Sequence, residues 1–139
     1  MALLKDALAE IIDELQTMSG IRRVPDEPPE NIDQFPFAIV YPLTGVYTVG
    51  PSTLMKGLHS INIELHVARK DLPRDYSTVI DLIDEIPYQI NKLRKDGKLT
   101  AMSTFGDFTF TFGPLSWANV ETLGVTYTLT EVKVEREIT

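Results

Sequence analysis

The chain has no cysteine among its 139 residues. That absence excludes a disulfide framework, a thiol nucleophile and any cysteine-ligated zinc site, and it is compatible with a reducing cytoplasm. Basic residues are in deficit, with 13 Lys and Arg against 20 Asp and Glu, for a net charge of -7 and a pI near 4.7. This is the wrong sign for a surface that grips phosphate backbones. An acidic wall would instead let a duplex slide past without sticking, and the plainer use of such charge is solubility. No apolar run approaches the ~18 residues that span a bilayer, so a soluble product is expected. The opening MALLKDALAEIIDEL carries Asp6, Glu10, Asp13 and Glu14 where a signal peptide would be apolar, so no secretion signal is expected.

Catalytic signatures are missing too: the chain has no GxSxG, no HExxH and no glycine-rich dinucleotide turn. Lys56-Gly57 after Gly50 fails as a phosphate loop, because Met55 and Gly57 stand where glycine and Ser or Thr are required. His59 and His66 are separated by an odd interval, which on one strand puts them on opposite faces, unable to share a metal. Asp26, Glu27, Glu30 and Asp33 lack the alternating ligands and glycine turn of a calcium loop. Asp81, Asp84 and Glu85 fall on the polar side of a helical pattern, a solvated face. The expectation is a protein that is not an enzyme, with no cofactor and no metal.

What is present reads as one domain over residues 1–139, with 43% hydrophobic and 24% charged residues. Its centre is Ser60 to Ala68, SINIELHVA, where Ile61, Ile63, Leu65 and Val67 alternate with polar residues. That is a strand with one face on a core and the other toward solvent or a partner. Leu4, Leu8, Ile11, Ile12 and Leu15 make an amphipathic helix that ends near Met18. Val79, Leu82, Ile83, Ile86, Ile90 and Leu93 make a second, N-capped by Asp71 and stopped by Gly97, with a kink expected at Pro87.

Ile21 to Val24 reads as a short strand before the acidic, proline-rich loop VPDEPPENIDQFP, and FPFAIVYP as a buried strand. Phe108, Phe110 and Phe112 alternate with threonine in a strand that Gly113-Pro114 should end. With no Arg or Lys between them, the phenylalanines are assigned to the core rather than to a base-stacking platform. The last strand slips phase between Leu129 and Val132, the mark of a bulge, and its Lys133, Glu135, Arg136 and Glu137 suit an exposed edge. Together these elements predict an α+β domain. Four to five antiparallel or mixed strands carry two packed helices.

The segment Leu43 to Leu58 is a long hairpin-like arm with more apolar side chains than a solvated loop holds. Val46, Tyr47, Val49, Leu54 and Met55 are the candidate subunit interface, expected to be mobile in an isolated subunit and ordered on assembly. The order of elements, with LKDALAEIIDEL, then FPFAIVYP, then the arm, then INIELHVARKDLPRDYSTVIDLIDEI and two more strands, resembles the tail-terminator proteins of long-tailed bacteriophages. Neighbouring head-to-tail joining proteins of the neck are similar in size and composition. The resemblance implies a virion structural protein, assembled in the host cytoplasm and located at the head-proximal end of the tail. It implies a homo-oligomeric ring, usually of six subunits, that caps the tail tube. The tube protein and a head-completion or connector protein would be its partners, and DNA would pass through the channel without specific binding. The class-level alternative is a small α+β module that binds a host protein or small molecule, with the arm as a lid.

Overall fold

A computed structural model of the chain describes residues 3–32, 34–49, 53–102 and 104–138, without the side chains of Val49 and Leu72. Asp33 and Gly50, named above, lie outside the described residues. In chain order come α1 (Leu4–Gln16), β1 (Phe37–Val49), β2 (Leu54–Val67), a 3-10 turn (Arg69–Asp71), α2 (Leu72–Lys95), β3 (Phe108–Trp117) and β4 (Val120–Glu137). The strands form one antiparallel sheet in the order β1-β2-β4-β3, with both helices packed on it in the α+β arrangement expected.

Local chemistry accounts for the helix ends. The Asp6 carboxylate accepts the Leu3 N–H at 3.0 Å in the first turn of α1. At the end of α2, Gly97 sits at φ 70°, and the N–H groups of Lys98 and Gly97 return to the carbonyls of Leu93 and Arg94, a Schellman stop. The helix runs unbroken through Pro87, whose carbonyl accepts the Asn91 amide at 2.8 Å. The helical stripes, Ala7, Ile11, Ile12 and Leu15 with Val79, Leu82, Ile86 and Ile90, meet Ile61, Ile63, Leu65 and Val67 of β2 and Val125, Tyr127 and Leu129 of β4. Tyr127 ties the layers together by donating its hydroxyl to the Leu82 carbonyl at 2.7 Å. Burial, with the Asp84 carboxylate as a lesser cause, pushes that phenol well above its ordinary pKa.

Four expectations are corrected. The even face of β2 is not open to solvent: Asn62, Glu64 and His66 are buried there, as are Phe37 and Ile39 beside them on β1. The acidic loop is pinned across this second face. Its start is held by the Arg22 and Arg23 N–H groups on the Pro36 carbonyl, and its middle by the Trp117 indole on the Pro29 carbonyl at 2.8 Å, with Trp117 6.1 Å from the Tyr41 ring. The strand expected at Ile21 to Val24 is a single parallel bridge, Arg23 to Phe37.

Gly113-Pro114 does not end β3, which runs on to Trp117. An outermost strand tolerates a residue without an N–H. The phenylalanine row is also not core. Its face of β3 is the helix side, but the helices stop short of the sheet's edge, leaving Phe110 55% and Phe112 38% exposed, while Phe108 packs against the core.

The phase slip in β4 is a bulge, as expected. Ile61 pairs with Leu129 and His59 with Val132, so Thr130 and Glu131 stand against Ser60 alone, with Glu131 at φ 55°. Leu43 of β1 is an extra residue at the same level, between the pairs Pro42 to Ile61 and Thr44 to Ser60.

Candidate assembly surface

Beyond the bulges, the sheet continues as the arm. Three strands build it: β1 from Thr44, β2 before Ser60 and the distal half of β4, paired from Tyr47 to Gly57 to Val134 and out to Val49 to Met55 to Arg136. The sequence suggested a hairpin ordered only on assembly. The structure adds a third strand to the hairpin, β4, so that β2 is hydrogen-bonded on both sides along the arm.

The arm's glycines provide space rather than freedom. A Cβ at Gly45 would stand 2.5 Å from Nδ1 of His59, and one at Gly57 would stand 2.5 Å from its Nε2, so the imidazole lies across both glycines. Tyr47 meets it edge-on at 5.2 Å. His59 is buried there, and burial lowers its pKa, which favours the neutral ring.

The five candidate interface residues divide between two faces. On the helix side Tyr47 is 55% exposed, and half-buried Met55 joins it with Leu3, Leu4 and Val134 around a hollow of about 100 Å³. On the other face Val46 is 67% exposed and Leu54 half-buried. Val49 pairs with Met55 through its backbone, and its side chain lies outside the described residues. Sequence reading missed Leu43 and Leu58, both about half exposed, which join Val46 in the arm's apolar surface. Thr44, Val46, Leu58, Ser60 and Glu131 line a shallow hollow of about 210 Å³ at the bulges. Tyr76 and Ile80 on α2, exposed with Phe110 and Phe112, were missed as well, because a helical stripe read from sequence does not show where its cover ends.

A second constellation lies under the acidic loop. The Glu64 carboxylate accepts hydrogen bonds from the Tyr41 hydroxyl and from Nε2 of His66 at 2.9 Å, while Nδ1 of His66 meets the Thr122 hydroxyl at 2.6 Å. Asn62 donates to Tyr41 at 3.3 Å and accepts from Thr128 at 2.9 Å. Burial pushes the Glu64 pKa up, but the His66 and Tyr41 hydrogen bonds together outweigh it and hold the carboxyl below its ordinary value. Burial, opposed by Asn62 and reinforced by Glu64, raises the Tyr41 phenol.

Hydroxyl, imidazole and carboxylate in a row is the pattern of an activated nucleophile. Here Thr122 and His66 are fully buried, and no substrate atom could reach the hydroxyl. The chain fastens the sheet's second face. His59 lies on the helix side and His66 on this one, as their odd spacing requires.

Among the described residues no three His, Asp or Glu side chains group as metal ligands, and no helix is long and apolar enough to cross a membrane. A concavity of about 630 Å³ between the end of α1 and α2 is lined by Glu14, Asp81 and Glu85 among mostly polar neighbours, unlike the apolar pocket of a small-molecule site. No protein-family model and no curated protein matches the chain.

Proposed function

We propose that this protein is a structural component of a phage virion, a tail terminator that caps the tail tube as a ring of about six subunits and offers the surface to which the head docks. The arm carries this reading. It is a rigid three-stranded projection of the sheet, and it holds Leu43, Val46, Tyr47 and Leu58 in solvent, where a lone domain has no use for them. In a ring they are covered by neighbours or by the tube. The net charge of -7 suits a channel wall that DNA passes without adhering. A neck protein joining head and tail would use the same features, and its location in the particle distinguishes the two.

Native mass spectrometry and electron microscopy, with and without purified tail tubes, test the proposal. Rings in solution or at the head-proximal end of tubes are the expected result. A protein that stays monomeric throughout and never caps a tube is not a terminator.

A further inference from the structure

β1 and β3 are the two outer strands of the sheet, and neither holds a charged residue. Phe37–Val49 reads FAIVYPLTGVYTV and Phe108–Trp117 reads FTFTFGPLSW. The sheet's charges lie elsewhere: Lys56 and Glu64 on β2, and Glu121, Glu131, Lys133, Glu135, Arg136 and Glu137 on β4. Past the end of β3 the outer side of β4 is met by residues 104–107 as far as Lys133, and beyond that β4 is an edge of the arm bearing Glu135, Arg136 and Glu137, charges of the kind with which folded proteins keep sheet edges from pairing. One edge is thus guarded and two are not. Among the described residues no named strand pairs with the outer side of β1 or β3, and β1 is met only at its start, by the bridge from Arg23 to Phe37 with the Ala38 N–H on the Arg23 carbonyl.

The two open edges fit each other. Three successive antiparallel pairings make β1 and β3 run in opposite directions. A second copy set beside the first, helix layers on the same side, therefore brings its β1 antiparallel to β3 and extends the sheet. On that side Phe110 and Phe112 stand exposed on β3, and Tyr47 stands exposed on β1. Tyr76 and Ile80 lie on the flank of α2 opposite Asp81 and Glu85, which line the cleft toward α1. Arg94, on the same flank as Tyr76 and Ile80, lies over the Phe105 ring just before β3.

We propose that the β3 edge, flanked by Tyr76 and Ile80, receives the β1 edge of a second copy as an added strand, the copy shifted along the strands so that its Tyr47, which lies level with Val134 in its own sheet, packs against Phe110 and Phe112, which lie level with Tyr127 and Val125. The contact joins two different surfaces, so it repeats head to tail, and it makes a ring when the rotation between neighbours closes. It rests on the self-assembly reading above and names the surfaces that meet. Four aromatic side chains, each about half exposed and worth roughly 150–250 Å² when whole, remove about 400 Å² of apolar surface from water. Ile80, the threonines and the paired backbones add to this, toward the ~1,000 Å² of a specific interface. An interface near that lower bound suits a ring made firm by its tube.

Two variants test the contact: V46K/Y47K blocks the β1 edge, and F110K/F112K blocks the β3 edge. All four side chains are exposed, and circular dichroism melts verify folding; T48K and T111K, also at exposed positions, replace any pair that fails to fold. Under conditions where the wild type forms rings, each variant alone is expected to stay monomeric by native mass spectrometry. A 1:1 mixture should give a heterodimer and nothing larger, because one open edge remains on each partner. Assembly of either variant like the wild type, or a mixture that stays monomeric, overturns the inference while the ring stands. A wild type that never assembles, with or without tubes, removes the ring and this contact with it.

Discussion

Glu64 is the position where the structure makes the sharpest quantitative demand. The residue is 9% exposed and its carboxylate accepts from Tyr41 and His66, with the imidazole's other nitrogen on Thr122. In Glu64→Ala the Tyr41 hydroxyl and the His66 N–H lose their acceptor, the first part-buried and the second fully buried, at about 1–3 kcal/mol each, for a total of roughly 2–6 kcal/mol. Glu64→Gln keeps the volume but offers one acceptor and one donor. One charge-assisted bond then becomes neutral and the other must reverse through the His66 tautomer or the Tyr41 rotor, costing about 1–2 kcal/mol. Thermal and urea unfolding followed by circular dichroism measure both. For a chain of this length each kcal/mol moves Tm by roughly 3–5 °C.

The pH dependence has a fixed sign. The folded pKa lies below the ordinary value, so the native state binds this proton less readily than the unfolded chain does. The stabilisation is therefore complete above the unfolded value of ~4.3 and is lost as pH falls through the folded one. The gap between wild type and Glu64→Gln should be full at pH 6 and shrink toward pH 3. A Glu64→Ala variant within about 0.5 kcal/mol of wild type at pH 7, or a gap indifferent to pH, would refute the view that this network holds the second face.

Three further outcomes are expected. Ile63→Asp puts a charge at a fully buried position among Val40, Leu65 and Tyr127, and should leave no cooperative melt at 25 °C in circular dichroism. Gly124→Ala would set a methyl 1.7 Å from the Leu65 carbonyl oxygen and should unfold the central strands, whereas Gly113→Ala on β3 meets nothing within 4 Å and should keep Tm within a few degrees. Trp117→Phe removes the hydrogen bond to the Pro29 carbonyl, and should cost about 1 kcal/mol and speed limited proteolysis between residues 25 and 32; an unchanged digestion pattern would show that the loop is held by other contacts.

The helices were legible because each buries one stripe at a 3.6-residue period, and Leu4 to Leu15 and Val79 to Leu93 keep that period throughout. The odd face of β2 and the β4 bulge were legible for the same reason, since a period-two pattern that breaks must be repaired by an extra residue. The fate of the even face was not. Alternation divides β2 into two faces, but the cover over Glu64 and His66 comes from an irregular loop of prolines and acids, and from the tryptophan that ends β3, none of which leaves a trace in the period of β2.

Phe110 and Phe112 failed for a related reason. An apolar alternating strand reads the same at the middle and at the edge of a sheet, and only the order β1-β2-β4-β3 shows which it is. A usable signal lay in the absence of charge from both outer strands. It becomes informative once the charged distal half of β4 is seen to be an edge as well.

The arm's rigidity alters the energetics of assembly. A hairpin ordered only on contact would lose roughly 1–2 kcal/mol of backbone entropy per residue fixed, which a small interface could not offset over a dozen residues. In the structure that ordering belongs to folding. β2 is paired on both sides, the His59 ring fills the space above Gly45 and Gly57, and Leu3 and Leu4 at the start of α1 prop the helix side against Tyr47 and Met55. The bulges at Leu43 and at Thr130 and Glu131 fall at one level, and bulges bend and twist the strands that carry them, so the arm's direction is built into the sheet. A neighbour then meets a preformed edge, and association is opposed mainly by the loss of the subunit's own translational and rotational freedom. In the ring proposed above this contact would repeat around a closed circle, and a tail tube already holding several subunits side by side would lower that remaining barrier further.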